Sequence, residues 1–320
     1  MRMYFAPMEG ITDAIFRQVY QARFGGMDKY FMPFVSPSYS LSYTLREEFD
    51  LLPAQNRGLF AVPQILARDA GCFLGAARSF AEHGYTEVNL NLGCPSGTVT
   101  GKGKGSAMLK DTQALYRFLD EIYCEAPLKI SVKTRIGFDH PEEWEKILPV
   151  FSHFPIHELI IHPRTRSQIY QGQPHPEAFR QAMEQLKCPL IYNGDLFTAQ
   201  KVQETMAAFP AMDGMMLGRG LLSNPALLRE WNGGSPLSKE DLTGFHDDLF
   251  RAYWNTWHPL TAVGRMHVFL KYFAHSLDVP FKYVREALRA NKPEEYLDAV
   301  GEMFARATMA ENPRYVQKEQ

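Results

Sequence analysis

The residues best suited to chemistry stand in one short run, Asn89-Leu90-Asn91-Leu92-Gly93-Cys94-Pro95-Ser96, followed by Gly101-Lys102-Gly103-Lys104-Gly105-Ser106. A cysteine between glycine and proline sits in a tight, stiff turn, and the glycines after it allow a loop to fold over a ligand. Such a thiol acts as proton donor or nucleophile; the competing reading is a buried cysteine packed as a small hydrophobe. Elsewhere polar groups recur at the ends of apolar runs: Pro7 with Met8, Gln64, Lys133 with Arg135, His162 with Arg164, Asn193-Gly194-Asp195, and Gly218 with Arg219. Lys133, ending a β-rich run, would carry its ammonium toward the open end of a sheet. A buried cation there needs a negative partner, either a ligand or a carboxylate such as Glu87. The turns at Asn193-Gly194-Asp195 and Gly218-Arg219 offer amides and a guanidinium of the kind that hold phosphate.

These groups need a frame that brings eight strand ends together. Short apolar runs occur at Met3 to Ala6, Lys29 to Phe34, Leu59 to Ile65, Glu87 to Asn91, Lys129 to Lys133, Glu158 to His162, Leu190 to Asn193 and Gly214 to Leu217. A stretch with helical period follows each, which is the pattern of parallel βαβ units. A doubly wound open sheet would give similar local patterns. Polar residues gathered just past the strands favour a (β/α)8 TIM barrel, whose chemistry sits at the C-terminal ends of its strands. Asn232-Gly233-Gly234-Ser235-Pro236 interrupts the alternation, giving an expected barrel over residues 1–234 and a small C-terminal all-helical domain over 235–320. In that tail Ser238 with Asp241 offers a helix cap, Phe269, Tyr272 and Phe273 recur at helical spacing, and Pro293 with Glu294 and Glu295 suits a helix start.

The chain of 320 residues, 45% hydrophobic and 22% charged, has the composition of a folded globular protein. No window reaches the roughly 18 apolar residues of a membrane span, and the expected location is cytoplasmic. Cys72, Cys94, Cys124 and Cys188 are scattered without a C-x-x-C pair, so neither a disulfide framework nor a metal site is expected. A net charge of −2 supplies no global attraction to nucleic acid, and any RNA contact must come from a local basic surface.

In the Cys94 window the chain resembles the tRNA-dihydrouridine synthases, with their N-x-G-C-P signature and glycine-rich loop. Ala6-Pro7-Met8-Glu9-Gly10 with Thr12-Asp13, Val132-Lys133-Thr134-Arg135 with Gly137, Asn193-Gly194-Asp195, and Leu217-Gly218-Arg219-Gly220 match further motifs in order, over roughly residues 1–230. The resemblance implies an FMN-dependent reductase of uridine in tRNA, using NADPH or NADH, with Cys94 as the acid. It assigns Pro7, Met8, Gln64, Lys133, His162, Asn193, Gly194, Asp195, Gly218 and Arg219 to the flavin. Lys133 would face the N1–C2 oxygen region of the ring. Asn91 would aim at the uracil edge. Lys102, Lys104, Arg135, Arg164, Arg166, Arg265 and Lys271 would form a basic rim for tRNA phosphates, and Tyr170, Phe34 and Tyr39 lie where a base could stack. The family's His-Gly-Arg-Thr-Arg stands here as His162-Pro163-Arg164-Thr165-Arg166, so one backbone donor is lost. Three rival readings share this frame: a flavin reductase of a small unsaturated substrate, an RNA-binding barrel without catalysis, and a barrel holding another phosphorylated ligand.

Overall fold

A computed structural model describes residues 1–311. Eight strands, β1 (Arg2–Phe5), β2 (Lys29–Val35), β3 (Ala61–Ile65), β4 (Glu87–Leu92), β5 (Lys129–Gly137), β6 (Leu159–Thr165), β7 (Leu190–Tyr192) and β8 (Gly214–Leu217), run in order around a closed barrel. Each pairing from β1–β2 through β7–β8 is parallel. The TIM barrel expected from the sequence is present. Two strands run well past their expected ends: β5 reaches Gly137 and β6 reaches Thr165, so Arg135 and Arg164 are strand residues, and Lys133 and His162 lie inside their strands rather than at the ends.

The chain gathers into two compact units. One comprises Met1–Glu9, Met27–Gly194 and Phe209–Met216; the other comprises Gly10–Gly26, Asp195–Ala208 and the residues from Leu217 onward. The boundary read from sequence at residue 234 falls within the second unit.

In the first unit Tyr4, Ala6, Phe31, Val62, Ile160, Ile191 and Met216 form one buried cluster. Side chains from so many strands meet only inside a barrel, which fixes the inward face of each strand. Because side chains alternate along a strand, Gln64 shares the face of Val62, and His162 that of Ile160. β4 shows the logic in six residues: all are buried, Asn89 and Asn91 lying on one face and Val88, Leu90 and Leu92 on the other. Beneath the apolar layer Lys29 Nζ sits between Glu87 Oε2 at 2.6 Å and Glu158 Oε2 at 2.7 Å, while Tyr4 donates to Glu158 Oε1 at 2.6 Å.

In the second unit the helix Ala14–Arg23 is capped by Asp13, which accepts from Phe16 N. Phe16 stacks on Phe269 with centroids 5.2 Å apart, and Phe24 meets Phe245 edge-on at 5.2 Å. Aromatic packing of this kind is what joins residues 10–26 to the tail. The tail carries helices Lys239–Thr256, Pro259–Phe273, Phe281–Arg289 and Pro293–Arg306. The Ser238–Asp241 capping box and the Pro293 helix start are both present. One antiparallel pair, β9 (Leu277–Asp278) with β10 (Thr308–Met309), adds to the helices.

Candidate functional site

Directly past β4, the turn carrying Cys94 is held at every peptide. Asn91 Oδ1 accepts from the backbone N–H of Gly93 at 3.1 Å and of Cys94 at 2.9 Å. The next three carbonyls are each taken by a different side chain: Gly93 O by Arg135 Nε at 3.0 Å, Cys94 O by Ser106 Oγ at 2.8 Å, and Pro95 O by Arg166 Nε at 3.2 Å. Gly105, at φ +61°, lets the loop lie against the cysteine; a Cβ there would come within 3.1 Å of Cys94 Cβ and Cys94 O. Ser106 closes the glycine-rich stretch in the sequence, and nothing in its spacing announces this anchoring role. Burial pushes the Cys94 thiol above its ordinary pKa and Glu9 pushes the same way, against the backbone N–H of Ser96 and the charges of Arg135 and Lys133. The thiol therefore keeps its proton at neutral pH, as a carbon acid–base partner requires.

A polar ladder lines the neighbouring inner face. Gln64 Nε2 donates to Asn89 Oδ1 at 2.7 Å, Asn91 Nδ2 donates to Gln64 Oε1 at 2.8 Å, and Asn89 Nδ2 donates to Ser131 Oγ at 2.9 Å. Asn91 is thus committed on both ends of its amide, to Gln64 and to the Cys94 turn. Lys133 stands opposite Asn91 in the β4–β5 register and opposite Ile160 on the other side, which turns it inward. It is half-buried, yet its ammonium has no hydrogen-bond or ion-pair partner among the described residues. Desolvation, and then the charge of Arg135, pull its pKa from 10.5 down to about 7, with Cys94 acting in the opposite direction. Glu87, weighed above as a partner for Lys133, instead pairs with Lys29.

His162 is buried and its ring lies 5.9 Å from that of Tyr170. Arg164 NH1 approaches His162 Nε2 at 3.3 Å; a guanidinium only donates, so in this contact the ring nitrogen is the acceptor. Pro7 and Met8 follow β1 half-buried.

The expected basic rim divides. Arg135 and Arg164 are only 2% and 1% exposed, because the strands extend beneath them. Arg135 also donates to Thr165 O at 2.7 Å and Arg164 to Gly172 O at 2.6 Å, so both brace backbone. Lys102 is exposed and Lys104 half-buried. In the second unit Arg265 lies against Gly10 O and 3.9 Å from Asp13 Oδ2, while Lys271 is exposed.

Of the phosphate candidates, Asn193 Nδ2 donates to Met216 O at 2.7 Å, bracing the end of β7 against β8. In the second unit Arg219 NH2 lies 3.2 Å from Asp195 Oδ1, and Asp195 adopts φ +47°. Gly220 has a strict role: a Cβ on it would fall 2.0 Å from Leu196 O. Glu87, His157 and Glu158 converge within 4.8 Å, but the place of a cation is taken by the Lys29 ammonium.

Chemically, the inner end of the barrel offers a protonated thiol in a fixed turn, an unpaired ammonium, and amide donors and acceptors on adjacent strands. A planar heteroaromatic group with an electron-rich edge answers that set: Lys133 supplies the charge that such an edge lacks, and Gln64, beyond its bonds to Asn89 and Asn91, has one further N–H and one further lone pair.

The chain matches the family model described as dihydrouridine synthase over residues 4–300. It is 31% identical over 229 residues to tRNA-dihydrouridine synthase B of Pasteurella multocida (strain Pm70), covering 71% of this chain and 68% of that protein. The tRNA-dihydrouridine(16) synthase of Pseudomonas putida (strain KT2440) is 29% identical over 291 residues, 86% of this chain and 89% of that protein. Among solved structures, the old yellow enzyme homologue from Zymomonas mobilis superposes with a TM-score of 0.53 at 13% identity, covering 74% of this chain and 90% of that one. Morphinone reductase gives 0.52 at 13% identity, covering 73% and 86%. The last two are likenesses of fold.

Proposed function

The chain belongs to the dihydrouridine synthase family, and from that membership we propose that it reduces the C5=C6 bond of uridines in tRNA to 5,6-dihydrouridine, using FMN recharged by NADPH or NADH. The observation that carries this reading is the Cys94 turn, every peptide of which is held while its thiol stays protonated. Bound flavin supplies the hydride that adds to C6 of the uracil. Cys94 Sγ–H gives its proton to C5 and is left as a thiolate, which solvent reprotonates; the base gains two hydrogens in all. Asn91, Arg135, Ser106 and Arg166 act as positioning residues, since each binds the backbone around Cys94 rather than the base.

Lys133 would hold the electron-rich edge of the flavin ring, and Gln64 would meet its neighbouring donors and acceptors. Pro7, Met8 and His162 border the ring in the same reading. Backbone at Gly218 and the guanidinium of Arg219, which Asp195 aligns, would hold the phosphate. The helices Lys239–Thr256, Pro259–Phe273, Phe281–Arg289 and Pro293–Arg306 would take part of the tRNA, with Lys271 exposed for phosphate contact; residues 312–320 of the expected helical domain lie outside the described residues.

Cys94→Ala tests the assignment. The variant is expected to retain yellow flavin and to bleach it with NADPH, yet to leave tRNA free of dihydrouridine by mass spectrometry. Product at the wild-type rate would remove Cys94 from its role.

A further inference from the structure

Beyond Cys94 the chain passes through a loop that borders an open cleft of about 690 Å³, within the ~300–1,000 Å³ of ligand sites. Four cations line it, Arg68, Lys102, Lys104 and Lys110, and no carboxylate does. Lys104 Nζ donates to Ser36 Oγ at 2.6 Å and Lys110 lies 4.1 Å over the Phe138 ring, while Arg68 and Lys102 have no ion-pair partner among the described residues. Like charges gathered without a counter-charge repel one another, and that arrangement is complementary to a polyanion. Beside the cleft, Tyr39 is 79% exposed but held in place, its hydroxyl donating at 2.8 Å to Asp69, the residue after Arg68. An exposed, fixed ring is a platform for an unpaired base. Ser106 returns the same loop to the Cys94 carbonyl, so the cleft adjoins the turn on which the proton donor stands.

We propose that Arg68, Lys102, Lys104 and Lys110 form a phosphate cleft that, with Tyr39 as stacking platform, holds a nucleotide of the RNA flanking the uridine to be reduced. The proposal rests on the reading of tRNA as substrate. An RNA strand fits better than a free dinucleotide, because the cleft offers point charges and glycine backbone rather than apolar walls for two rings.

The test is binding of an unmodified tRNA transcript across a salt series by the wild type, by Arg68→Ala with Lys110→Ala, and by Tyr39→Leu. Unfolding midpoints serve as the check on folding. The double variant is expected to bind roughly ten-fold more weakly at low salt, and the slope of log affinity against log salt to fall by about 1.4–1.8, which is two contacts at about 0.7–0.9 each. Tyr39→Leu is expected to weaken binding by roughly five- to hundred-fold with the slope unchanged. Wild-type affinity and slope in both variants would overturn the cleft, as would a raised KM for NADPH with tRNA binding intact. A wild type that neither binds nor modifies the transcript would overturn the substrate reading along with it.

Discussion

Replacing Lys133 by methionine is expected to stabilise the flavin-free protein at low pH, an outcome opposite to that of losing a buried salt bridge. In the folded chain desolvation and Arg135 pull the lysine pKa from 10.5 to about 7. At 1.36 kcal/mol per tenfold change in proton affinity, holding the ammonium charged costs on the order of 5 kcal/mol. The folded value lies below the unfolded one, so the unfolded chain binds more protons between about pH 7 and 10.5. Stability contributed by this group therefore rises with pH across that window, and the penalty is complete below about pH 7. Methionine fills a similar volume without charge. At pH 6 the flavin-free variant should unfold several degrees above the wild type, at roughly 2 °C per kcal/mol for a chain of this length. By pH 9 the wild type should recover roughly 3 kcal/mol of the difference. The assay is thermal unfolding of both stripped proteins across pH, with flavin titration alongside, where the variant should bind more weakly. A variant less stable than the wild type at pH 6, with a gap that does not move with pH, would show that the ammonium has an anionic partner and refute the argument.

Two further outcomes follow from the same geometry. Because burial raises the Cys94 pKa, dihydrouridine formation limited by proton donation should be constant through neutral pH and decline only above the ordinary thiol range; decline beginning below pH 8 in single-turnover measurements would contradict that direction. Gly220→Ala places a Cβ 2.0 Å from Leu196 O, and forcing those backbones apart should cost about 3 kcal/mol or more, read as a lowered unfolding midpoint; an unchanged midpoint would mean the segment yields freely.

The eight strands were legible because apolar runs and helical stretches alternate, and because Cys94, Lys133 and His162 close or follow apolar runs in the sequence, where barrels place chemistry. The depth of the arginines was not legible. Arg135 and Arg164 follow apolar runs, and a guanidinium in that place reads as solvated; only the extension of β5 and β6, with carbonyls within reach at Gly93, Thr165 and Gly172, gives them internal work. The brace around Cys94 was hidden for a related reason, since Ser106 and Arg166 reach it from distant parts of the chain. Asn91 was expected at the substrate, while its amide oxygen is committed to the turn. The grouping of residues 10–26 with the tail depends on aromatic packing that no local pattern announces.

The charged layer below the barrel's apolar cluster has a consequence for assembly. Lys29, Glu87 and Glu158 come from three strand starts far apart in sequence and meet within 2.7 Å contacts. Hydrophobic side chains tolerate a sliding strand, since one apolar neighbour replaces another at modest cost. A buried carboxylate does not: displacing the β6 start by a single residue would pull Glu158 away from the Lys29 ammonium. The ionic layer therefore singles out one strand register at the base of the barrel, a distinction that the apolar core alone draws only weakly.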